Sequence, residues 1–455
     1  MDDLRGRTVE GTLAHAPAPD RLEILADALV TVGEDGVIAE VVAPGDPRQA
    51  AVREKASRAG RLVVAPKGSV VLPGFVDLHI HAPQYPQLGT ALDVPLEVWL
   101  QKHTFPLEAR YADPTFAARV YPMLVADLLA NGTTTAVYFA TIHAEATRLL
   151  VDACLALGQR AFVGKVAMDN PEECPAFYRD TSAADAIAGT EALIDYVRTH
   201  PDNAGLVEPV VTPRFVPSCT DPLLDGLGAV AKACGCAVQT HCSESDWQHG
   251  HALARFGQRD AEVLDRFGLL TRRTVLAHGN LLSADDMALV RARGSGVAHC
   301  PLSNVYFSNA VFPLRAALER GVRVGLGTDI AGGPSASILD SCRMAVHASR
   351  MLEEGVDPGL PPEQRGRPGS RIGFATALHL ATAGGADVLD LPVGRFAAGC
   401  AFDAVLVDPA ATGGTMRVYD DIDTLEDLIQ KIVFTASRAN LAAVWVGGQR
   451  RTGRG

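Results

Sequence analysis

The chain has 455 residues, 47% of them hydrophobic and 21% charged, which excludes a disordered protein and provides material for a large core. Its 41 basic and 53 acidic side chains give a net charge of -12, which argues against a nucleic-acid or anionic-membrane binder. The nine cysteines form no paired CxxC framework and the N-terminus lacks the pattern of a signal peptide, so we expect free thiols in a cytoplasmic protein.

Both ends of the chain carry β-patterns. Residues 28–32 and 37–41 flank the turn sequence Gly-Glu-Asp-Gly, which predicts a β-hairpin. Residues 402–407 and 442–448 are again apolar and rich in valine. We therefore expect the two ends to pair into one small β-sandwich domain, formed by residues 1–67 and 393–455.

Eight apolar runs occupy the region between the two ends. Their bounds are 69–81, 134–140, 160–169, 206–215, 237–244, 274–280, 296–304 and 322–330. Amphipathic segments with helical spacing, such as 223–234 and 284–293, separate most of them. Apolar strands that alternate with helices predict a parallel sheet covered on both faces, and eight such units favour a (β/α)8 TIM-like barrel over residues 68–392.

Histidines and one aspartate lie where these predicted strands end. Active-site groups of a (β/α)8 barrel come from the C-terminal ends of its strands. His79 and His81 are two residues apart on a strand, so both rings can point to one ion. His241 and Asp329 end two later strands, and three imidazoles with a carboxylate form a plausible divalent-metal shell.

A second His-x-His pair, His249 and His251, provides an internal comparison. It lies in the sequence WQHGHALARFG, which reads as a loop that runs into a helix. Side chains two positions apart on a helix point to nearly opposite sides. We do not expect this pair to bind a metal.

Two further residues at strand ends allow more than one interpretation. Glu244 follows His241 by three residues and could shuttle protons for metal-activated water chemistry, or it could be the first-turn acid of the next helix. His278 could be a ligand, an electrophile or a hydrogen-bonded core histidine. Asp329 follows a buried strand, where a carboxylate is costly unless it is paired or bound to a metal.

Several motifs together resemble the amidohydrolase superfamily. They are PGFVDLHIHAPQ, THCSE, LAHGN, AHCPLSN and GLGTDIAGG. The segments HAPQY, PLEVWLQKHTFPLE, VTPRF and DLIQKIVFTASRANLAAVWVGG extend the resemblance to those members that deaminate guanine. The resemblance covers about residues 30–448. It implies a barrel with a small β-sandwich domain built from both chain ends, and a homodimer.

The resemblance also implies one zinc ion per chain, held by His79, His81, His241 and Asp329. This donor set accepts iron(II) or manganese(II) as well. The fourth predicted barrel strand ends in VVTPRF, without the lysine that bridges two metals in other members, which favours a mononuclear site. The resemblance makes Glu244 the proton shuttle, with His278 and Asp329 activating the water.

Recognition of the base is implied for Gln84, Arg214 and Phe215, with His241 beside them. An arginine fork can donate to O6 and N7 of guanine, and a glutamine offers both a donor and an acceptor. A phenylalanine supplies an apolar face for a flat ring. Trp99 either closes the pocket or belongs to the core.

The expected reaction is the hydrolysis of guanine, a small purine, to xanthine and ammonia. One alternative is an amidohydrolase that acts on another heterocycle, such as a pterin, 8-oxoguanine, an s-triazine or a hydantoin. Another alternative is a barrel scaffold that has lost its chemistry. The complete set of metal donors and the acid argue against the scaffold.

Overall fold

The chain alternates strands and helices over most of its length. The structure is a computed structural model and describes residues 3–307 and 310–453. In chain order its strands are β1 (Thr8–Ala18), β2 (Arg21–Val32), β3 (Ile38–Val42), β4 (Leu62–Val64), β5 (Val70–Pro73), β6 (Phe75–His81), β7 (Thr133–Phe139), β8 (Arg160–Gly164), β9 (Val166–Ala167), β10 (Val207–Pro213), β11 (Ala237–Cys242), β12 (Thr274–His278), β13 (Gly296–His299), β14 (Arg323–Leu326), β15 (Ala404–Val407), β16 (Leu441–Val446) and β17 (Gln449–Gly453).

The helices lie mainly between the strands. In chain order they are α1 (Gln49–Arg58), α2 (Leu96–Trp99), α3 (Phe105–Ala109), α4 (Pro114–Ala130), α5 (Ala144–Leu157), α6 (Ala183–Thr199), α7 (Asp221–Cys234), α8 (Asp246–Phe256), α9 (Asp260–Arg266), α10 (Ala284–Arg293), α11 (Pro301–Phe307), α12 (Leu314–Glu319), α13 (Ile338–Glu354), α14 (Pro362–Arg365), α15 (Phe374–His379), α16 (Gly385–Leu389) and α17 (Leu425–Thr435). In the described part of the chain, no helix combines the length and the apolar character needed to cross a bilayer.

Eight parallel strands form the central sheet, in the order β6-β7-β8-β10-β11-β12-β13-β14, and the short β9 pairs with β10. Strands such as β7 and β12 are buried along their whole length. Interior side chains cover one face and helices the other, which is why apolar residues occur on both faces of these strands and the polar residues in them are buried. The predicted (β/α)8 barrel is confirmed.

The barrel closes where β6 meets the segment that follows β14. The backbone N–H of His81 donates to the carbonyl of Ile330 at 2.8 Å, and the N–H of Asp329 donates to the carbonyl of His79 at 2.9 Å. The buried carboxylate of Asp77 on β6 accepts from the N–H and the hydroxyl of Thr328, at 3.0 and 2.5 Å. These bonds bring His79, His81 and Asp329 to the same end of the barrel.

A second sheet is built from both chain ends, as predicted. Its order is β17-β16-β15-β5-β1-β2-β3, with β4 paired to β1. The predicted hairpin is present: β2 and β3 are antiparallel, with Val30 opposite Val41. The two sheets are joined by the buried pair of Arg160, which begins β8, and Asp403, with Nε and Oδ2 at 3.2 Å.

The apolar run at residues 69–81 forms two strands rather than the one that the sequence predicts. Strand β5 pairs with β15 in the sheet of the chain ends, whereas β6 begins the barrel. Gly74 separates them, because a Cβ atom there would lie only 2.1 Å from Oγ1 of Thr134. The chain therefore changes sheets at Gly74. The domain boundaries between residues 67 and 68 and between residues 392 and 393 stay predictions.

We predict that Gly74→Ala lowers the free energy of unfolding by about 1–3 kcal/mol, because the added methyl group must displace the side chain of Thr134. Urea denaturation of the purified protein measures the change. Gly250→Ala is the matched control: Gly250 lies inside α8 with open space at its Cβ position, so alanine should leave stability unchanged or raise it by up to about 1 kcal/mol. Equal effects of the two substitutions would contradict the packing argument.

Candidate active site

Four predicted donors converge at the C-terminal end of the barrel. Nε2 of His81 lies 3.1 Å from Nε2 of His241, and Oδ1 of Asp329 lies 3.1 Å from Nε2 of His79 and 3.5 Å from Nε2 of His81. Ligand atoms about 2.0–2.2 Å from one tetrahedral ion are roughly 3.3–3.6 Å apart. The spacing of the four donor atoms is therefore close to that of a metal shell.

The hydrogen bonds and burial of these histidines also fit a cation. Nδ1 of His241 donates to the backbone carbonyl of Arg214 at 2.6 Å, which leaves the lone pair of its Nε2 facing His81. Nε2 of His79 is buried and makes no hydrogen bond within the described residues. Burial lowers the pKa of His79, His81 and His241 well below the usual value, and neighbouring groups lower it further, so the rings are neutral at neutral pH, as metal ligands must be.

Three residues at or just after strand ends have left-handed backbone conformations. The φ angles are +49° for Ser243, +71° for His278 and +53° for Asp329. Non-glycine residues adopt this conformation at a cost, and such positions concentrate at functional sites. The sharp turns also explain why several predicted apolar runs extend past the observed strands, since the apolar pattern continues where the strand geometry has ended.

Glu244 and His278 stand beside the four donors. Oε1 of Glu244 is 3.6 Å from Nε2 of His278, and Oδ2 of Asp329 is 3.9 Å from the same nitrogen. His278 is oriented by Asn304, whose Oδ1 accepts from Nδ1 at 2.9 Å. Burial and the nearby charge of Asp329 raise the pKa of Glu244 to about 8, against the opposing effect of Arg214. Glu244 is thus placed to exchange a proton with a molecule bound at the donors.

The loop that carries Glu244 is held by two residues that the sequence analysis missed. The buried carboxylate of Asp260 accepts from the N–H of Ser243 and from Nε2 of Gln248, both at 2.7 Å. Gln248 also donates to the carbonyl of His241 at 3.1 Å and accepts from the N–H of Glu244 at 3.3 Å. Nothing in one sequence marks these residues, because their partners are set by the loop conformation.

A pocket that is partly open to solvent lies beside Glu244 and the donor cluster. Its lining residues are His81, Gln84, Leu96, Trp99, Leu100, Arg214, Phe215, His241, Glu244, Phe307, Asp329 and Gly332. The predicted base-binding residues therefore share one cavity with His81, His241 and Asp329. Trp99 lines the pocket and contacts Phe307, with ring centroids 5.0 Å apart.

The second His-x-His pair lies elsewhere. His249 and His251 are on α8, and Nδ1 of His251 is 3.3 Å from a carboxylate oxygen of Glu173. Within the residues that the structure describes, neither belongs to a group of donors able to hold a metal. A His-x-His motif thus requires a strand end before it can contribute both rings to one ion.

Glu108 on α3 is a further residue at the pocket that the sequence analysis did not identify. Its carboxylate is fully buried and forms a two-point ion pair with Arg214, with N–O distances of 2.7 and 3.2 Å. Burial would lower the pKa of Arg214, but the carboxylate reverses this and the pKa is raised overall. Glu108 ends the segment PLEVWLQKHTFPLE, which carries part of the family resemblance, but nothing in that segment marks this acid as buried.

The barrel, the strand-end donors and the adjacent acid together define a metal-dependent hydrolase. The profile of the amidohydrolase family matches residues 70–451, and the chain belongs to this family. A probable guanine deaminase from Schizosaccharomyces pombe is 38% identical over 449 residues, which cover 97% of this chain and 83% of that protein.

Two solved structures extend the comparison. Guanine deaminase from C. acetobutylicum with bound guanine superimposes with a TM-score of 0.87 at 28% identity, covering 98% of this chain and 99% of that chain. An adenosine deaminase from Xanthomonas campestris with bound zinc gives a TM-score of 0.79 at 25% identity, covering 98% and 92%.

We predict that Gln248→Leu lowers the free energy of unfolding by about 1–3 kcal/mol, because it leaves the buried Asp260 carboxylate without one donor. Turnover should fall as well, since the loop that holds Glu244 loses its brace. Thermal unfolding and a hydrolase assay measure the two effects. Gln49→Leu is the control: Gln49 makes one exposed hydrogen bond to the carbonyl of Asp27, so both properties should be nearly unchanged. A Gln248 variant as stable and active as the control would contradict the bracing role.

Proposed function

We propose that this enzyme hydrolyses guanine to xanthine and ammonia. The observation that carries the proposal is that one pocket is lined by two groups of residues. They are three of the four donors together with Glu244, and the proposed base-binding residues Gln84, Arg214 and Phe215. The guanine deaminases among its relatives and solved neighbours support this substrate.

His79, His81, His241 and Asp329 are the proposed ligands of a single zinc ion. Three imidazoles and one carboxylate are ligands that zinc accepts readily, and their present spacing suits it. A bound ion of this kind supplies Lewis-acid activation of water near neutral pH. Arg214 follows β10 where a bridging lysine would be needed, which supports one ion rather than two.

The side chains around the ligands divide the remaining work. Asp329 directs one carboxylate oxygen to His79 and the other to His278, so it can orient the attacking water between them. Glu244 transfers a proton to N3, the unprotonated ring nitrogen next to C2. It then takes the proton from the hydroxyl group that the water has added to C2, and passes this proton to the departing amine. Phe215 provides an apolar surface for the ring, and Arg214 and Gln84 hold its polar edge.

The direct test of the reaction is release of xanthine and ammonia from guanine by the purified protein. We expect turnover by the wild-type protein. Glu244→Gln should lose nearly all turnover while keeping its metal, because it removes the proton carrier and none of the proposed ligands. Turnover of a pterin, 8-oxoguanine or an s-triazine in place of guanine would overturn the substrate. An absence of turnover on all of these compounds would favour a scaffold without chemistry.

The proposed ligands are tested by metal analysis. We expect about one ion per chain in the wild-type protein and its loss in the double variant His79→Ala/His81→Ala. The double variant His249→Ala/His251→Ala is matched in residue type and spacing and should retain the ion, because this pair lies on a helix away from the donors. Plasma emission spectrometry gives the metal content. Equal loss from both double variants would refute the assignment.

A further inference from the structure

The buried carboxylate of Glu108 contacts both polar residues that hold the edge of the base. Its Oε1 accepts from Nε2 of Gln84 at 2.8 Å and from Nη2 of Arg214 at 3.2 Å, while its Oε2 accepts from Nη1 of Arg214 at 2.7 Å. One oxygen atom therefore joins Gln84 to Arg214. All three side chains are at least 98% buried.

This contact determines which way the amide of Gln84 faces. An ionised carboxylate can only accept hydrogen bonds, so Gln84 must turn its NH2 group toward Glu108. Its carbonyl oxygen Oε1 is left buried and without a hydrogen-bond partner in the described part of the chain, in a residue that lines the pocket. Arg214 can only donate, and it keeps further N–H groups beyond those that bind Glu108. The pocket thus offers an acceptor from Gln84 next to donors from Arg214.

We propose that Glu108 is a positioning residue that fixes this order of acceptor and donor and thereby selects the lactam edge of the base. The inference rests on the proposed function and deepens it. Guanine presents N1–H beside the O6 carbonyl, which matches an acceptor beside a donor. In 2,6-diaminopurine the same edge has a ring nitrogen acceptor beside an amino donor, so the order is reversed while the ring and the 2-amino group are retained.

A purely structural role would not require this arrangement. A buried ion pair contributes little net stability compared with apolar residues of similar volume. Here Glu108 also fixes the orientation of the amide of Gln84. Without it, the amide could rotate and exchange the positions of its NH2 group and its carbonyl oxygen. The ring of Phe105 packs beneath the guanidinium of Arg214, with 5.0 Å from Cζ to the ring centroid. Glu108 and Phe105, which are both on α3, together hold the guanidinium of Arg214 in place.

The test compares guanine with 2,6-diaminopurine in the metal-loaded enzyme. We measure kcat and KM for guanine and the inhibition constant of 2,6-diaminopurine. In the wild-type protein the inhibition constant should exceed KM for guanine by about 100-fold or more, because a site built to pair with an N–H strongly rejects its replacement. Glu108→Gln should narrow this ratio at least tenfold, mainly through a rise in KM, because a glutamine at position 108 can donate to Gln84 and let its amide turn.

Gln84→Met tests whether Glu108 acts through the amide. In the Gln84→Met background, Glu108→Gln should change the ratio of the two constants several-fold less than in the wild-type background, because only its contact with Arg214 remains. Asp180→Asn is the matched control: Asp180 forms a similarly buried ion pair with Lys165 at 2.7 Å, and neither residue lines the pocket. It should reduce thermal stability without changing the ratio. Should Glu108→Gln fail to fold, Glu108→Asp keeps the charge on a shorter stem and should narrow the ratio in the same direction.

The outcomes separate the two proposals. If the wild-type protein does not turn over guanine, the proposed function fails and this inference falls with it. If it does, but Glu108→Gln changes only kcat and thermal stability as Asp180→Asn does, the function stands and the positioning role of Glu108 is overturned. Equal binding of guanine and 2,6-diaminopurine by the wild-type enzyme would also overturn it.

Discussion

The closure of the barrel between its first and last strands is the constraint on which the site depends. Two backbone hydrogen bonds, from His81 to Ile330 and from Asp329 to His79, join residues about 250 positions apart in the chain. Backbone N–H groups and carbonyls alternate along these segments. The register that pairs them therefore also places the imidazoles of His79 and His81 beside the carboxylate of Asp329. Asp77 reinforces the register from inside, where its buried carboxylate is satisfied by Thr328. Closure of the barrel thus brings three of the four donors together.

Much of the architecture was accessible from the sequence for a definite reason. Parallel strands that are buried on both faces are rich in apolar residues, so the eight runs stood out. The helix α10 was predicted with its observed bounds. The donors could be found because a barrel directs its active-site groups to strand ends. The contrast between His79 with His81 and His249 with His251 shows that spacing became informative only when combined with the type of element.

The residues that the sequence did not reveal share a different property. Glu108, Gln248 and Asp260 act through hydrogen bonds to groups whose positions follow from loop geometry. Each is a common polar residue in a segment that would suit a solvent-exposed helix, and only the folded chain shows that it is buried. The division of residues 69–81 into two strands was not predicted for a similar reason. It depends on the close approach of Thr134 to Gly74, which the residue types do not reveal.

The long connection between β6 and α4 separates most of the proposed base-binding residues from the donor cluster along the chain. Gln84, Trp99 and Glu108 all lie in this one segment. The four donors lie outside it: His79 and His81 are on β6, and His241 and Asp329 come later in the chain. Exchange of this single connection, together with Arg214, would therefore change the proposed base-binding residues while the donor cluster is retained. A family built in this way can acquire new substrates in few steps, and the same segment is the natural place to graft a different selectivity by design.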